Sequence, residues 1–246
     1  MKFLGFEISE LDIVNNAEKL LAGIKAGQRF FVLTINSLIV YEIFQKPEYA
    51  KAVEKVNYVV PDGIGVIKAI QLFKKRQLQR VPGIELMLKL CEYAERDGLE
   101  VFLLGSKEDI VKQTAINLSK KFPLLKIVGT HHGFFTEDEN DRIVSIINQT
   151  NAKLLFVAMG VPKQEIWISK NYDSLKPLLA MGVGGSFDVI ANRIKRAPKW
   201  MQKAGLEWLY RIIKEPRKRL KIIPRLFKSV IYLVRYISSK ERGDCS

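Results

Sequence analysis

Asp62 is the residue whose type and surroundings point most directly to chemistry. It follows the apolar run Tyr58–Val60 and precedes the turn Gly63-Ile64-Gly65. At the carboxyl end of a buried strand, a carboxylate is well placed to act as a general base. An aspartate there can equally close a turn or cap a helix, so the residues alone leave both uses open.

A glycine-rich segment ends another apolar run, and its small residues are Gly182, Gly184 and Gly185. Backbone without side chains lets a phosphate or sugar approach closely, so we expect a nucleotide to bind here. The segment lacks the dinucleotide fingerprint Gly-x-Gly-x-x-Gly, and the chain contains no Gly-x-x-x-x-Gly-Lys-Ser/Thr phosphate loop. A nicotinamide-dependent oxidoreductase is therefore a disfavoured alternative.

No pattern of residues indicates a metal or another cofactor. The two histidines, His131 and His132, are adjacent, and the two cysteines, Cys91 and Cys245, complete no zinc-binding spacing. The Asp-x-Asp pair with which many nucleotide-sugar enzymes hold a divalent metal is missing. We therefore expect a metal-independent reaction, in which Arg or Lys side chains stabilise a leaving diphosphate.

The positive charge of the chain is concentrated in its last part. Residues 193–246 hold 16 Lys and Arg against 4 Asp and Glu, whereas residues 1–192 hold 24 against 22. From Ile222 onward a helical wheel places the apolar residues on one half and the cations opposite. This pattern favours a helix that lies on an anionic membrane surface. A helix packed on the body or on a second copy of the chain is the alternative.

A nucleic-acid-binding tail is disfavoured, because phosphate contacts need no continuous apolar half. The N-terminal residues do not resemble a secretory signal, and no apolar run reaches the 20 or so residues of a membrane span. We therefore expect a cytoplasmic protein that is peripherally associated with the inner face of the membrane.

The elements that must position these residues alternate regularly along the chain. Short, fully apolar runs predict strands over 30–33, 58–60, 101–104, 126–128, 154–158 and 178–181. Amphipathic stretches predict helices over 11–26, 37–44, 64–76, 84–96, 107–122, 137–149 and 163–172. The alternation predicts a Rossmann-like, doubly wound, mostly parallel α/β sheet. We place an α/β catalytic body at residues 1–192 and a basic, helical appendage at 193–246.

Six motifs, taken together and in this order, resemble the WecG/TagA/CpsF glycosyltransferase family. They are Thr34-x-Asn36, Pro61-Asp62-Gly63-x-Gly65, Arg80-Val81-Pro82-Gly83, Gly160-x-Pro162-Lys163-Gln164-Glu165, Gly182-Val183-Gly184-Gly185-x-Phe187-Asp188, and Arg196-Ala197-Pro198 through Gly205-Leu206-Glu207-Trp208-Leu209-Tyr210-Arg211. The resemblance covers most of the chain. It implies transfer of a sugar from a UDP-sugar donor to a sugar linked to undecaprenyl diphosphate.

The basic tail resembles the TagA branch of the family most. That likeness implies transfer of N-acetylmannosamine from UDP-N-acetylmannosamine to lipid-linked N-acetylglucosamine, through a β1,4 bond, in the synthesis of the wall teichoic acid linkage unit or a related surface polymer. UDP-glucose or UDP-N-acetylmannosaminuronic acid as the donor is the alternative within the family.

The resemblance also implies roles for individual residues. Asp62 would deprotonate the acceptor hydroxyl for a direct, inverting attack, and Arg80 and Arg211 would contact the diphosphate. The residues that would orient the reacting sugars are Thr34, Asn36 and Gln164. The residues expected near the nucleotide are Phe134, which would stack on uracil, and Gly182, Gly184, Gly185 and Asp188. The cations expected at the membrane or the lipid diphosphate are Arg217, Lys218, Arg219, Lys221 and Arg225.

Two positions depart from the family pattern. Asn192 stands where the family usually has a glycine, and asparagine tolerates the left-handed backbone that such a turn needs. Glu85 stands where an aspartate is common, which leaves the acceptor sugar open. The apolar face of the tail also allows a homo-oligomer.

Overall fold

The computed structural model describes residues 1–75, 77–214, 216 and 220–243. Its strands are β1 Lys2–Phe3, β2 Phe6–Glu7, β3 Phe30–Ile35, β4 Tyr58–Pro61, β5 Glu100–Gly105, β6 Lys126–His131, β7 Leu154–Ala158 and β8 Leu179–Gly182. Strands β1 and β2 form a small antiparallel hairpin, and the other six form one sheet in the order β4-β3-β8-β7-β5-β6. All neighbours in this sheet are parallel. The predicted α/β class and all six predicted strands are confirmed.

Helices cover both faces of the sheet, which explains why most of its strands are buried and apolar, with the edge strand β6 as the exception. They are α1 Ile13–Lys25, α2 Ser37–Gln45, α3 Pro47–Val53, α4 Ile64–Lys74, α5 Gly83–Arg96, α6 Glu108–Lys121, α7 Asn140–Gln149, α8 Lys163–Asn171, α9 Ser186–Ile190, α10 Lys199–Lys203, α11 Glu207–Lys214 and α12 Ile223–Gly243. Successive residues of β3 show the two faces. Val32 joins a core that α1 and α5 cover, and Leu33 joins a core that α2 and α4 cover.

Three short elements of the body were not predicted from the sequence, the hairpin β1–β2 and the helices α3 and α9. Helix α3 has seven residues and begins at Pro47, where the proline ring suits the first turn of a helix. Seven residues are too few to show a helical period clearly. Tyr49 of this helix is fully buried, so tertiary packing stabilises α3.

Helix α12 returns to the body and packs on α2. Its Leu233 and Ile237 are buried in the same core as Leu33. The Tyr236 hydroxyl accepts a hydrogen bond from the backbone N–H of Leu4 (3.1 Å). The packed helix that the sequence left as an alternative is therefore present along this edge of α12. The domain boundary at residue 193 stays a prediction.

A neighbouring edge of α12 is apolar and exposed. It consists of Phe227, Val230, Ile231 and Val234, which we call the α12 strip, and these side chains are 70, 52, 49 and 53% exposed. Their spacing of three and four residues places them on one side of the helix. The apolar half of the helical wheel thus divides into a buried edge and an exposed edge. In the described part of the chain, no helix is long and apolar enough to cross a membrane.

Candidate functional site

The carboxyl ends of the parallel strands lie along one edge of the sheet and bring the predicted residues together. Thr34 pairs with Val60 across β3 and β4, so Asp62 follows beside the end of β3. On the other side of β3 lies β8, which ends at Gly182 and is paired with β7. The glycine segment and the loop before Gln164 therefore lie at the same edge of the sheet as the Asp62 loop, with the end of β3 between them.

A tight turn against the end of β3 fixes the position of Asp62. The backbone N–H groups of Asp62 and Gly63 both donate to the carbonyl of Ile35, at 3.0 and 3.1 Å. A Cβ atom at Gly63 would lie 2.7 Å from Cα of Asn36, so glycine is required there. The Asp62 Oδ2 atom accepts a long hydrogen bond from the N–H of Gly83 (3.4 Å), at the start of α5. The carboxylate is thereby held at the N-terminus of that helix.

Arg80 holds the Asp62 loop from the other side. Its Nε donates to the Asp62 carbonyl (2.7 Å), and its Nη2 donates to Asp62 Oδ1 (3.1 Å). The same Nη2 donates to Oε2 of Glu207 on α11 (2.8 Å), and Nη1 donates to the carbonyl of Gln202 on α10 (3.1 Å). Arg80 thus joins the Asp62 loop to the segment after residue 192. Its expected contact with a diphosphate stays a prediction, and these protein groups would compete for the guanidinium.

The electrostatics of Asp62 suit a general base. Its side chain is 23% exposed. Burial raises the pKa of the Asp62 carboxyl above its ordinary value, and the Glu207 carboxylate adds to this. The Arg80 guanidinium and the Gly83 N–H act in the opposite direction. A carboxylate with a raised pKa accepts a proton more readily than an exposed aspartate does.

Thr34 and Asn36 lie next to this loop. A Cβ atom at Gly83 would meet Thr34 Cγ2 at 3.2 Å, so the Thr34 side chain and the Asp62 carboxylate adjoin the same residue. The Asn36 Oδ1 atom caps α2 by accepting from the N–H groups of Leu38 (3.0 Å) and Ile39 (3.3 Å). Asn36 thus has a structural role, and its predicted contact with a sugar rests on Nδ2, which also donates to the Thr34 carbonyl (3.3 Å).

Gln164 ties two loops of the site together. Its Oε1 accepts hydrogen bonds from the backbone N–H groups of Gly160 (3.1 Å) and Gly184 (2.9 Å). A Cβ atom at Gly182 would lie 2.5 Å from Gln164 Nε2, so this glycine makes room for the amide. The residue is 3% exposed. Gln164 therefore shapes the site from within, and its predicted contact with a sugar stays untested.

Glu165 is a residue of this site that the sequence analysis missed. It is 2% exposed, and its Oε1 accepts from Gln164 Nε2 (2.7 Å). Burial raises the pKa of Glu165 to about 7, and the hydrogen bond from Gln164 partly opposes this. The one signal in the sequence that could have found Glu165 is its place in the motif that ends Pro162-Lys163-Gln164-Glu165. Apolar periodicity could not find it, because glutamate is charged.

The residues predicted to bind the nucleotide are less closely grouped. Phe134 is 71% exposed. It follows Gly133, whose N–H donates to the carbonyl of Ser106 (2.9 Å), the residue directly after β5. Asp188 lies in α9 beyond the glycine segment, and its carbonyl accepts from the N–H groups of Arg193 and Ile194. Gly184 has a positive φ of 49°, which glycine adopts at low cost. The stacking of Phe134 on a base stays a prediction.

The cations predicted to contact the membrane or the diphosphate lie in different parts of the chain. Arg225 on α12 pairs with Glu42 of α2 (3.3 Å), and it therefore helps to hold α12 on the body. Lys221 is exposed. Arg211 belongs to α11, but its side chain lies outside the described residues, as do Arg217, Lys218 and Arg219. Within the described ranges, no three His, Cys, Asp or Glu side chains form a group that could hold a metal ion.

Comparison with known proteins adds to this geometry. Residues 1–243 match the model of the WecG/TagA/CpsF family of glycosyl transferases. A relative from Bacillus subtilis (strain 168) is 34% identical over 203 residues, which is 81% of this chain and 78% of the relative. One from Staphylococcus aureus (strain MW2) is 33% identical over 216 residues, or 87% and 84%. Both relatives are named N-acetylglucosaminyldiphosphoundecaprenol N-acetyl-beta-D-mannosaminyltransferase.

Proposed function

Since this chain belongs to the WecG/TagA/CpsF glycosyltransferase family, we propose that it transfers N-acetylmannosamine to N-acetylglucosamine carried on undecaprenyl diphosphate. The donor is UDP-N-acetylmannosamine, and the new bond is β1,4. The reaction inverts the anomeric centre and needs no metal ion. Its product serves the synthesis of a teichoic-acid linkage unit or a related surface polymer.

The position of Asp62 is the observation that carries the proposal. Its carboxylate lies at the ligand-binding edge of the sheet, with a raised pKa and partial exposure. Asp62 accepts the proton of the acceptor hydroxyl while the hydroxyl oxygen forms a bond to the anomeric carbon of the donor. The bond from that carbon to the diphosphate breaks, and UDP leaves with the electron pair. Cationic side chains stabilise the charge of the leaving diphosphate.

The α12 strip supports a site of action at an anionic membrane surface. Its apolar side chains are exposed, and the cations Lys228 and Arg235 on the same helix are exposed as well. A helix of this kind inserts its apolar edge among lipid chains and places its cations near anionic headgroups. The lipid-linked acceptor is then presented in the surface that α12 contacts.

A transfer assay with purified enzyme tests the proposal. The acceptor is a short-chain prenyl diphosphate N-acetylglucosamine, the donors are a panel of UDP-sugars, and the readouts are UDP release and product mass. We expect turnover with UDP-N-acetylmannosamine and undiminished turnover in EDTA. Turnover with UDP-glucose or a uronic-acid donor instead would disprove the choice of sugar. A strict requirement for a divalent metal would disprove the role given to the cationic side chains.

The Asp62→Asn variant tests the base directly. It keeps the shape of the side chain and removes the proton acceptor, so we expect turnover to fall by about 100- to 10,000-fold. UDP binding, measured by calorimetry, should stay within a few-fold of wild type. Asp173→Asn is the matched control, because Asp173 is exposed and pairs with Lys55 away from the site. Near wild-type turnover of Asp62→Asn would remove Asp62 from the mechanism.

A further inference from the structure

A chain of alternating charges connects Asp62 to the segment after residue 192. Arg80 Nη2 contacts both Asp62 Oδ1 (3.1 Å) and Glu207 Oε2 (2.8 Å). Glu207 Oε1 in turn contacts Arg196 Nε (3.4 Å), and Arg196 Nη2 contacts Glu85 Oε1 (2.5 Å). The side chains of Asp62, Arg80 and Glu207 are 23, 23 and 12% exposed, so solvent screens these contacts less than it screens surface pairs.

Glu207 shares one nitrogen atom of Arg80 with Asp62. A guanidinium has five N–H groups in a fixed plane, and Arg80 directs four of its hydrogen bonds to Asp62, Glu207 and the Gln202 carbonyl. Glu207 and Gln202 therefore fix the plane of the guanidinium from the side opposite Asp62. Glu207 is the first residue of α11, and so the placement of that helix determines the orientation of Arg80.

We propose that Glu207 is a positioning residue of the transfer reaction, which holds the Arg80 guanidinium from α11 and shares its charge with the Asp62 carboxylate. This inference rests on the proposed function, in which Asp62 is the base. Glu207 does not need to touch either substrate. Its role makes the docking of α10 and α11 a condition for full activity of a carboxylate that belongs to the α/β body.

The charges around Asp62 give the direction of the effect. Asp62 faces Arg80, the N–H of Gly83 and, behind Arg80, Glu207. The Arg80 guanidinium lowers the pKa of the Asp62 carboxyl, whereas the Glu207 carboxylate raises it. Arg80 pairs with two carboxylates, those of Asp62 and Glu207. When the charge of Glu207 is removed, the Arg80 guanidinium pairs with the Asp62 carboxylate alone. The pKa of Asp62 then falls, and the carboxylate becomes a weaker base.

A carboxyl ¹³C titration of the full chain, labelled at aspartate, tests this coupling without any substrate. The Asp62 signal is assigned by its loss in Asp62→Asn. In Glu207→Gln, which keeps a hydrogen-bond acceptor and removes the charge, we expect the midpoint of the Asp62 titration to move to lower pH. Glu92→Gln is the matched control, because Glu92 pairs with Lys89 on α5 (2.7 Å) and should leave the midpoint unchanged. An unchanged or raised midpoint in Glu207→Gln would overturn the proposal.

The pH profile of kcat/KM gives a second readout. In Glu207→Gln we expect the rising limb to move to lower pH and kcat on the plateau to fall about tenfold, with KM for the donor unchanged. Glu207→Asp keeps the charge and should restore most of kcat. If Glu207→Gln fails to fold, the shorter carboxylate of Glu207→Asp must still move the midpoint in the same direction by less, and an unchanged midpoint then refutes the proposal. A shifted Asp62 midpoint together with a fully active Asp62→Asn would instead refute the proposed function.

Discussion

The α12 strip gives a quantitative prediction for membrane binding. We consider the double variant Phe227→Ser and Ile231→Ser, whose native side chains are 70 and 49% exposed. Moving a whole Phe or Ile side chain from water into an apolar environment is worth about 1.5–3 kcal/mol. Scaled by these exposures, Phe227 contributes about 2 kcal/mol and Ile231 about 1 kcal/mol to membrane binding. Because about 1.4 kcal/mol corresponds to a tenfold change, we expect binding to weaken about 100-fold.

Sedimentation with large vesicles that contain anionic lipid measures this change. The experiment compares wild type, the double variant and Ile116→Ser, in which an exposed isoleucine of α6 (49% exposed) is replaced. The control should bind like wild type, and the thermal unfolding temperature of the double variant should stay close to that of wild type, because the strip is exposed. All three proteins should bind neutral vesicles more weakly, because Lys228 and Arg235 then add no attraction, while the double variant should lose about the same factor relative to wild type in both kinds of vesicle.

The reasoning would be refuted by vesicle binding of the double variant within twofold of wild type. Either a membrane or a second copy of the chain could cover the α12 strip. The mass of the protein, measured with and without vesicles, distinguishes these two partners. If the double variant changes the mass of a stable oligomer and leaves vesicle binding intact, then the strip is a subunit interface.

Two further predictions concern stability. Burial raises the pKa of Glu165 from its ordinary 4.5 to about 7, so between these pH values the unfolded chain releases a proton that the folded protein keeps. The free energy of unfolding should therefore fall by on the order of 2 kcal/mol as pH rises from 5 to 8, and urea titrations should show that Glu165→Gln abolishes this contribution; an equal fall in both proteins would contradict it. Asn192 has a φ of 59°, so Asn192→Ala should cost about 1 kcal/mol and Asn192→Gly almost nothing in the same measurement. Equal losses in the two variants would show that the Asn192 side chain, and not the backbone, stabilises the turn.

Much of the fold follows from local patterns. Strands β3, β4, β7 and β8 are buried throughout and mostly apolar, because both of their faces are covered, and such runs stand out from the amphipathic helices. The left-handed backbone at Asn192 was also foreseeable from the residue type. The position of Asp62 at the end of a buried strand indicated the edge of the sheet where it lies. These features depend on residues that are close together in the chain.

The remaining features depend on distant residues. Glu207 meets Arg80 across 127 positions, and no spacing in the sequence predicts which carboxylate such an arginine contacts. Gln164 shows the same limit: its predicted contact with substrate stays a prediction, and no pattern in the sequence indicated that its amide joins Gly160 and Gly184. Helix α12 has one wide apolar half, and periodicity alone cannot divide it into a packed edge and an exposed edge.

The return of α12 to the body has a consequence for the order in which the protein folds. Tyr236 contacts Leu4 across 232 positions, and Leu233 and Ile237 complete a core whose other members lie between residues 3 and 78. Contacts so far apart in the chain form late, because a long loop must close first. During synthesis, α2 therefore leaves the ribosome long before its cover exists, and it exposes an apolar surface until residues 223–243 arrive. Apolar surface that stays uncovered in this way favours aggregation of an incomplete chain.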